Sequence, residues 1–77
     1  MKNEQAKFLK AFGEHLRLTR KKHGFSQEQL AHECEIELRQ LGRIERGEIN
    51  TGIYSIAIIS SALKIDIKEL LNFEIDF

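Results

Sequence analysis

Three arginines, Arg39, Arg43 and Arg46, are spaced i, i+4 and i+7. On a helix turning by about 100° per residue they fall on one side with Gly42 beside them, while Leu41 and Ile44 face the other way. A guanidinium is a planar fork of donors, matched to O6 and N7 of guanine in a major groove or to the oxygens of a phosphate. Gln27 opens the preceding segment, where a polar side chain at a helix start can grip a phosphate. The chemistry these residues suit is recognition of nucleic acid. Bond-making chemistry has no comparable support: Ser, His and carboxylates occur, but without a glycine-rich phosphate loop, a zinc motif or a nucleophile elbow. No catalytic residue is assigned. His15, His23 and His32 lack metal-ligand spacing and a cysteine pair, so no metal is expected, and no cofactor or small-molecule ligand is evident.

The elements that must position the arginines lie in residues 25 to 48, FSQEQLAHECEIELRQLGRIERGE. Ser26 and Gln29 have the spacing of a capping box, and Phe25 and Leu30 that of a hydrophobic staple, so a helix is predicted from Ser26 to about Cys34 with Leu30, Ala31 and Cys34 on its apolar edge. Ile36, between Glu35 and Glu37, plugs the angle to a second helix from about Glu37 to Arg46, stopped by Gly47. Two short helices joined by a tight turn form a helix-turn-helix.

The run SQEQLA followed by GRIERGE resembles the phage-repressor or Xre-type (lambda-repressor-like) helix-turn-helix family over roughly Phe12 to Leu71. The resemblance implies an all-α fold, a compact bundle of about five helices that binds DNA. It also implies roles for single residues. Gln27 matches the family glutamine that clamps a backbone phosphate, and Arg46 a phosphate-facing position. Leu38, Arg39, Gln40 and Arg43 match positions of the recognition helix that look into the groove. Arg20 and Glu45 match a family pair forming a partly buried salt bridge between the first and the recognition helix. Two positions depart from the family pattern: Glu35 stands where the turn usually has Gly, and Glu37 where the recognition helix usually has a Ser, Thr or Asp cap.

The flanking segments supply the rest of the bundle. Met1 to about His23 reads as one helix with Phe8, Leu9, Phe12 and Leu16 inside, Gly24 as its stop, and Gly13 marking either close packing or a kink. A fourth helix is predicted from about Gly52 to Leu63, with Ile53, Ile56, Ala57, Ile59, Ser60 and Leu63 on its inner face; Tyr54 and Ser55 read as structural in preference to phosphate contacts. Asp66 and Glu69 suggest a second capping box for a short fifth helix ending near Leu71. The tail, residues 72 to 77, alternates Phe73, Ile75 and Phe77 with acids. It either folds back over the core or joins a partner subunit, and the second reading is favoured because three exposed apolar side chains burden a small monomer.

At 77 residues the chain is expected to be a single domain, burying about 60–65% of its extended surface. Nothing resembles a signal peptide or a membrane span, so a soluble, cytoplasmic protein is expected. One cysteine, Cys34, leaves no internal disulfide and reads as a small core residue. Formal net charge is zero, but residues 1 to 34 carry +3 and residues 35 to 77 carry −3. DNA attraction must then be local, from Arg39, Arg43, Arg46 and the basic end of the first helix. The expected function is sequence-specific binding of double-stranded DNA by a transcriptional regulator, a repressor acting as a homodimer on a palindromic operator. The alternative is a protein-interaction module that keeps the fold with weak or no DNA binding, motivated by the neutral charge, Glu35, Glu37, Leu38 and the apolar tail.

Overall fold

The computed structural model describes residues 2–76; Met1 and Phe77 lie outside, and with them the expected start of the first helix and the last member of the tail's alternation. Five helices follow in order: α1 (Lys2–Lys22), α2 (Gln27–Cys34), α3 (Leu38–Glu45), α4 (Ile53–Leu63) and α5 (Ile67–Leu70). The bundle is all-α, as expected. α1 packs on α3 and α5, α2 on α3 and α4, and α4 on α5. Phe12, Leu16, Leu30, Leu41, Ile44, Ile59, Leu63 and Leu70, with Ala31 and Cys34, make the core where they meet.

Local chemistry accounts for most helix ends. Ser26 Oγ accepts from the Gln29 N–H at 3.0 Å and the Gln29 side chain accepts from the Ser26 N–H at 2.8 Å, closing the capping box of α2. α1, α2, α3 and α4 each end with a left-handed residue, Gly24, Glu35, Gly47 and Lys64 respectively. At each, the N–H of the left-handed residue and that of the residue after it turn back to free carbonyls in the paired pattern of a Schellman motif. Phe25, Ile36 and Ile65 follow three of those left-handed residues and pack on the core; Glu48 follows the fourth.

Four expectations are corrected. Ile53, assigned to the inner face of α4, is 76% exposed, because the core is met by Ile59, Ser60 and Leu63 about two and three turns further on. Phe8 is 38% exposed and covers the core through another ring instead of entering it. Asp66 caps α5 by accepting from the Lys68 N–H at 2.9 Å, but Glu69 does not complete a box: its carboxylate accepts from Nε2 of His23, just beyond α1, at 3.1 Å. The tail folds back, with the Phe73 ring 5.6 Å from Phe8, 6.1 Å from Phe12 and 5.5 Å from His15 between centroids. Phe73 therefore takes part in the chain's own packing.

The placement of α3 depends on α1. α1 runs unbroken through Gly13, which marks close packing: a Cβ there would stand 2.6 Å from the Ile44 carbonyl oxygen and closer still to that of Glu45. Gly47, at φ +73°, repeats the approach, since a Cβ would lie 2.8 Å from Lys10 N and Cα. Beside this backbone contact Arg20 Nε donates to Glu45 Oε2 at 2.7 Å and Nη2 to Oε1 at 3.1 Å, with side-chain exposures of 8% and 2%. Arg20 Nη1 also donates to the Phe25 carbonyl at 2.9 Å, tying the α1–α2 turn into the same cluster.

Two outcomes follow from this docking. Gly13→Ala gains helix propensity but meets backbone carbonyls that cannot move aside, so it is expected to destabilise by about 1–3 kcal/mol, read as a lower denaturant midpoint at unchanged slope. Glu45→Ala leaves the Arg20 guanidinium buried without its carboxylate and is expected to cost about 3–5 kcal/mol. Thermal unfolding at the parent temperature would show that the pair holds nothing.

Candidate nucleic-acid interface

α3 has two unlike sides. Leu41, Ile44 and Glu45 are buried, whereas Leu38, Arg39, Gln40 and Arg43 are exposed. Arg39, Gln40 and Arg43 line one shallow depression with Glu37 and Ile49, and Leu38, 44% exposed, begins the same helix. The residues assigned to base readout thus share one outward surface. Glu37 is the N-cap of α3 but makes no side-chain cap bond, so its carboxylate is left at the rim of that depression.

The two residues assigned to phosphate also come together. Gly42 lies beneath both: a Cβ at that position would be 3.0 Å from Arg46 Nη1 and 3.8 Å from Gln27 Nε2. The absence of a side chain lets the Arg46 guanidinium settle against α3 next to the start of α2. Gln27 Nε2 donates to Glu45 Oε1 at 3.0 Å, so the same buried carboxylate that holds Arg20 also orients this amide. Gln27, Glu45 and Arg46 line an open cleft together with Lys10, Glu14 and Arg17 of α1. One wall of the cleft is therefore cationic, although Glu14 accepts from Arg17 Nη2 at 3.0 Å.

Residue spacing missed Glu48. Arg46 Nε donates to Glu48 Oε2 at 2.8 Å, and Arg43 Nε stands 3.7 Å from Oε1. The hydrogen bond from Arg46, followed by the charges of Arg46 and Arg43, holds the Glu48 carboxyl below the ordinary carboxylate range. A helical wheel ends with the helix, and Glu48 acts from the loop after Gly47, so only the sequence proximity of Arg46 and Glu48 hinted at the contact. The Gln27 to Glu45 bond left no sequence signal, because it joins two helices 18 positions apart.

An exposed row of guanidinium and amide donors on a helix held rigidly from behind can hydrogen-bond base edges and phosphates, and it contains no nucleophile poised beside a base. Among the described residues no group of His, Cys, Asp and Glu could hold a metal, and no helix is long and apolar enough to cross a membrane.

Known proteins resemble this chain in sequence and fold. The helix-turn-helix family HTH_3 matches residues 16–70. Control protein C.BamHI of Bacillus amyloliquefaciens is 41% identical over 63 residues, covering 80% of this chain and 78% of that protein. The crystal structure of the restriction-modification controller protein C.AhdI from Aeromonas hydrophila matches with a TM-score of 0.79 at 36% identity, over 82% of this chain and 96% of that one. The clp gene regulator ClgR from C. glutamicum matches with a TM-score of 0.77 at 26% identity, over 80% of each chain. With an exposed polar α3 braced by α1 and α2, and with these matches, the chain belongs to the helix-turn-helix family of DNA-binding transcriptional regulators.

Proposed function

We propose that the protein binds duplex DNA as a homodimer, laying one α3 into the major groove at each half of a two-fold operator and repressing by occupancy. The observation that carries this reading is the outward side of α3, where Leu38, Arg39, Gln40 and Arg43 are exposed while Leu41, Ile44 and Glu45 anchor the helix behind them. Arg39 and Arg43 offer guanidinium forks to guanine, Gln40 offers an amide to adenine, and Leu38 offers an apolar surface to a thymine methyl. Gln27 and Arg46 take backbone phosphates and fix the register. The protein works by binding alone, without enzymatic activity or a cofactor, and acts in the cytoplasm.

Among regulatory roles, control of a restriction–modification system is favoured by the likeness to C.BamHI and by the match to nearly the whole C.AhdI chain. A single short helix reads only a few base pairs, and pairing two copies with half-sites about 10 base pairs apart supplies the selectivity that one copy lacks. Phe73 is occupied within its own chain, so the tail offers less to a partner than its alternation suggests. Ile53 and Tyr54, each 76% exposed at the start of α4, are the better candidates for contact with a second copy.

Arg43→Ala is expected to cost about 1–3 kcal/mol on the preferred duplex and to relax base choice at one position per half-site. Gln27→Ala should weaken all duplexes alike. Selection from a random duplex pool, followed by titration of both variants, checks the assignment, and an Arg43→Ala protein that kept its affinity and base preference would refute it. Sedimentation equilibrium at micromolar concentration is expected to give a dimer, which Ile53→Asp shifts toward monomer. A parent chain that sediments as a monomer, bound or free, would rule out the dimer.

A further inference from the structure

The ends of α1, α2, α3 and α4 follow one rule and break it once. Each closes with the paired backbone bonds around a left-handed residue, and an apolar side chain on the residue directly after it normally covers such a turn. Phe25, Ile36 and Ile65 do so, and all three pack on the core. At the end of α3 that place is held by Glu48, whose N–H donates to the Arg43 carbonyl at 2.9 Å. Its side chain meets arginines instead of the core. Arg46 donates to it through Nε at 2.8 Å and Nη2 at 3.4 Å, and Arg43 Nε lies 3.7 Å away, with side-chain exposures of 59%, 45% and 48% for Arg46, Arg43 and Glu48. The backbone of Glu48 is thus fixed by the turn, and its carboxylate is set against one arginine assigned to a base and another assigned to a phosphate.

Resting on the reading that α3 enters the groove, we propose that Glu48 is a specificity-determining residue, an internal stand-in for phosphate that withholds Arg43 and Arg46 from DNA lacking the right bases. Non-specific complexes draw nearly all their affinity from phosphates. An exposed ion pair is weak, so a phosphate can take Arg46 from Glu48, but the carboxylate remains beside the new contact and repels it. Arg43 has more to gain from a guanine, which offers two acceptors in one plane, than from a lone phosphate contact that must compete with Glu48. The wrong duplex is penalised more than the right one, and the ratio between them widens.

The test uses the full chain carrying Glu48→Gln, which keeps the shape and removes the charge. Glu74→Gln makes the same charge change on the tail beyond α5, an element packed on α1 and α4. Unfolding curves matching the parent establish that both variants fold. Dissociation constants are then measured across a salt series for a duplex selected by the parent protein and for a scrambled duplex of equal length. Glu48→Gln is expected to tighten the scrambled duplex about tenfold near 0.1 M salt and to steepen its salt slope by about one, while the selected duplex tightens about threefold or less. Glu74→Gln should leave both nearly unchanged. If Glu48→Gln matched Glu74→Gln, or tightened both duplexes equally, the role of Glu48 would be refuted with DNA binding itself intact. A parent protein that bound no duplex at any salt concentration would overturn the groove reading, and this inference with it.

Discussion

The carboxylate of Glu45 accepts two bonds from Arg20 and one from Gln27, and Arg20 in turn reaches the Phe25 carbonyl, so one buried anion joins α1, the α1–α2 turn, the start of α2 and the end of α3. Burying a charge is costly, and the cost is recovered only when its oxygens are fully hydrogen-bonded. Glu45 meets that condition at one relative placement of these elements. An apolar cluster in its place would tolerate sliding and rotation, whereas a bidentate guanidinium pair does not. The network is best understood as fixing where the outward side of α3 stands, and much less as a source of net stability.

That fixing works because the backbones are already close. Gly13 and Gly47 bring α1 against the end of α3 at distances that exclude a Cβ, and Gly42 makes room on the other side for Arg46 beside Gln27. The glycines thus set the spacing, and Glu45 sets the rotation. A recognition helix must hold its donors within a fraction of an ångström of base edges, and a helix of eight residues is too short to be stable alone. Its precision comes from what lies behind it.

Much of this was legible in the sequence where the controlling interaction is local. Ser26 with Gln29, Gly47 after Arg46, and the opposition of Arg39 and Arg43 to Leu41 and Ile44 are all decided within one or two turns, and the helices follow them closely. Where a distant partner competes, the pattern misleads. Glu69 has the spacing of a capping residue for Asp66, but His23 lies across the α1–α5 seam and takes its carboxylate. Phe73 alternates with acids as an interface strand would, but the rings of Phe8 and Phe12 and the His15 imidazole, whose Nε2 donates to the Glu69 carbonyl at 2.8 Å, hold it against α1. Ile53 fits the apolar period of α4 but lies beyond the end of the core. For Phe73 and Ile53 periodicity identifies a side chain able to be buried, for Glu69 spacing identifies one able to cap, and in all three the surrounding elements decide the outcome.

Zero net charge takes on a physical meaning at this interface. A uniformly basic surface would bind any duplex through its phosphates, with an affinity that depends mainly on salt. Here cations and anions are interleaved: Glu14 holds Arg17, Glu48 holds Arg46 and approaches Arg43, and Glu37 stands at the rim of the depression that contains Arg39. Long-range attraction is then small while short-range hydrogen bonding is retained, because a carboxylate that screens a guanidinium at a distance can still be displaced by a better-fitting acceptor in contact. On the proposed reading, discrimination among duplexes depends on how well each displaces the internal acids, which makes the exposed carboxylates as much a part of the proposed recognition surface as the arginines they hold.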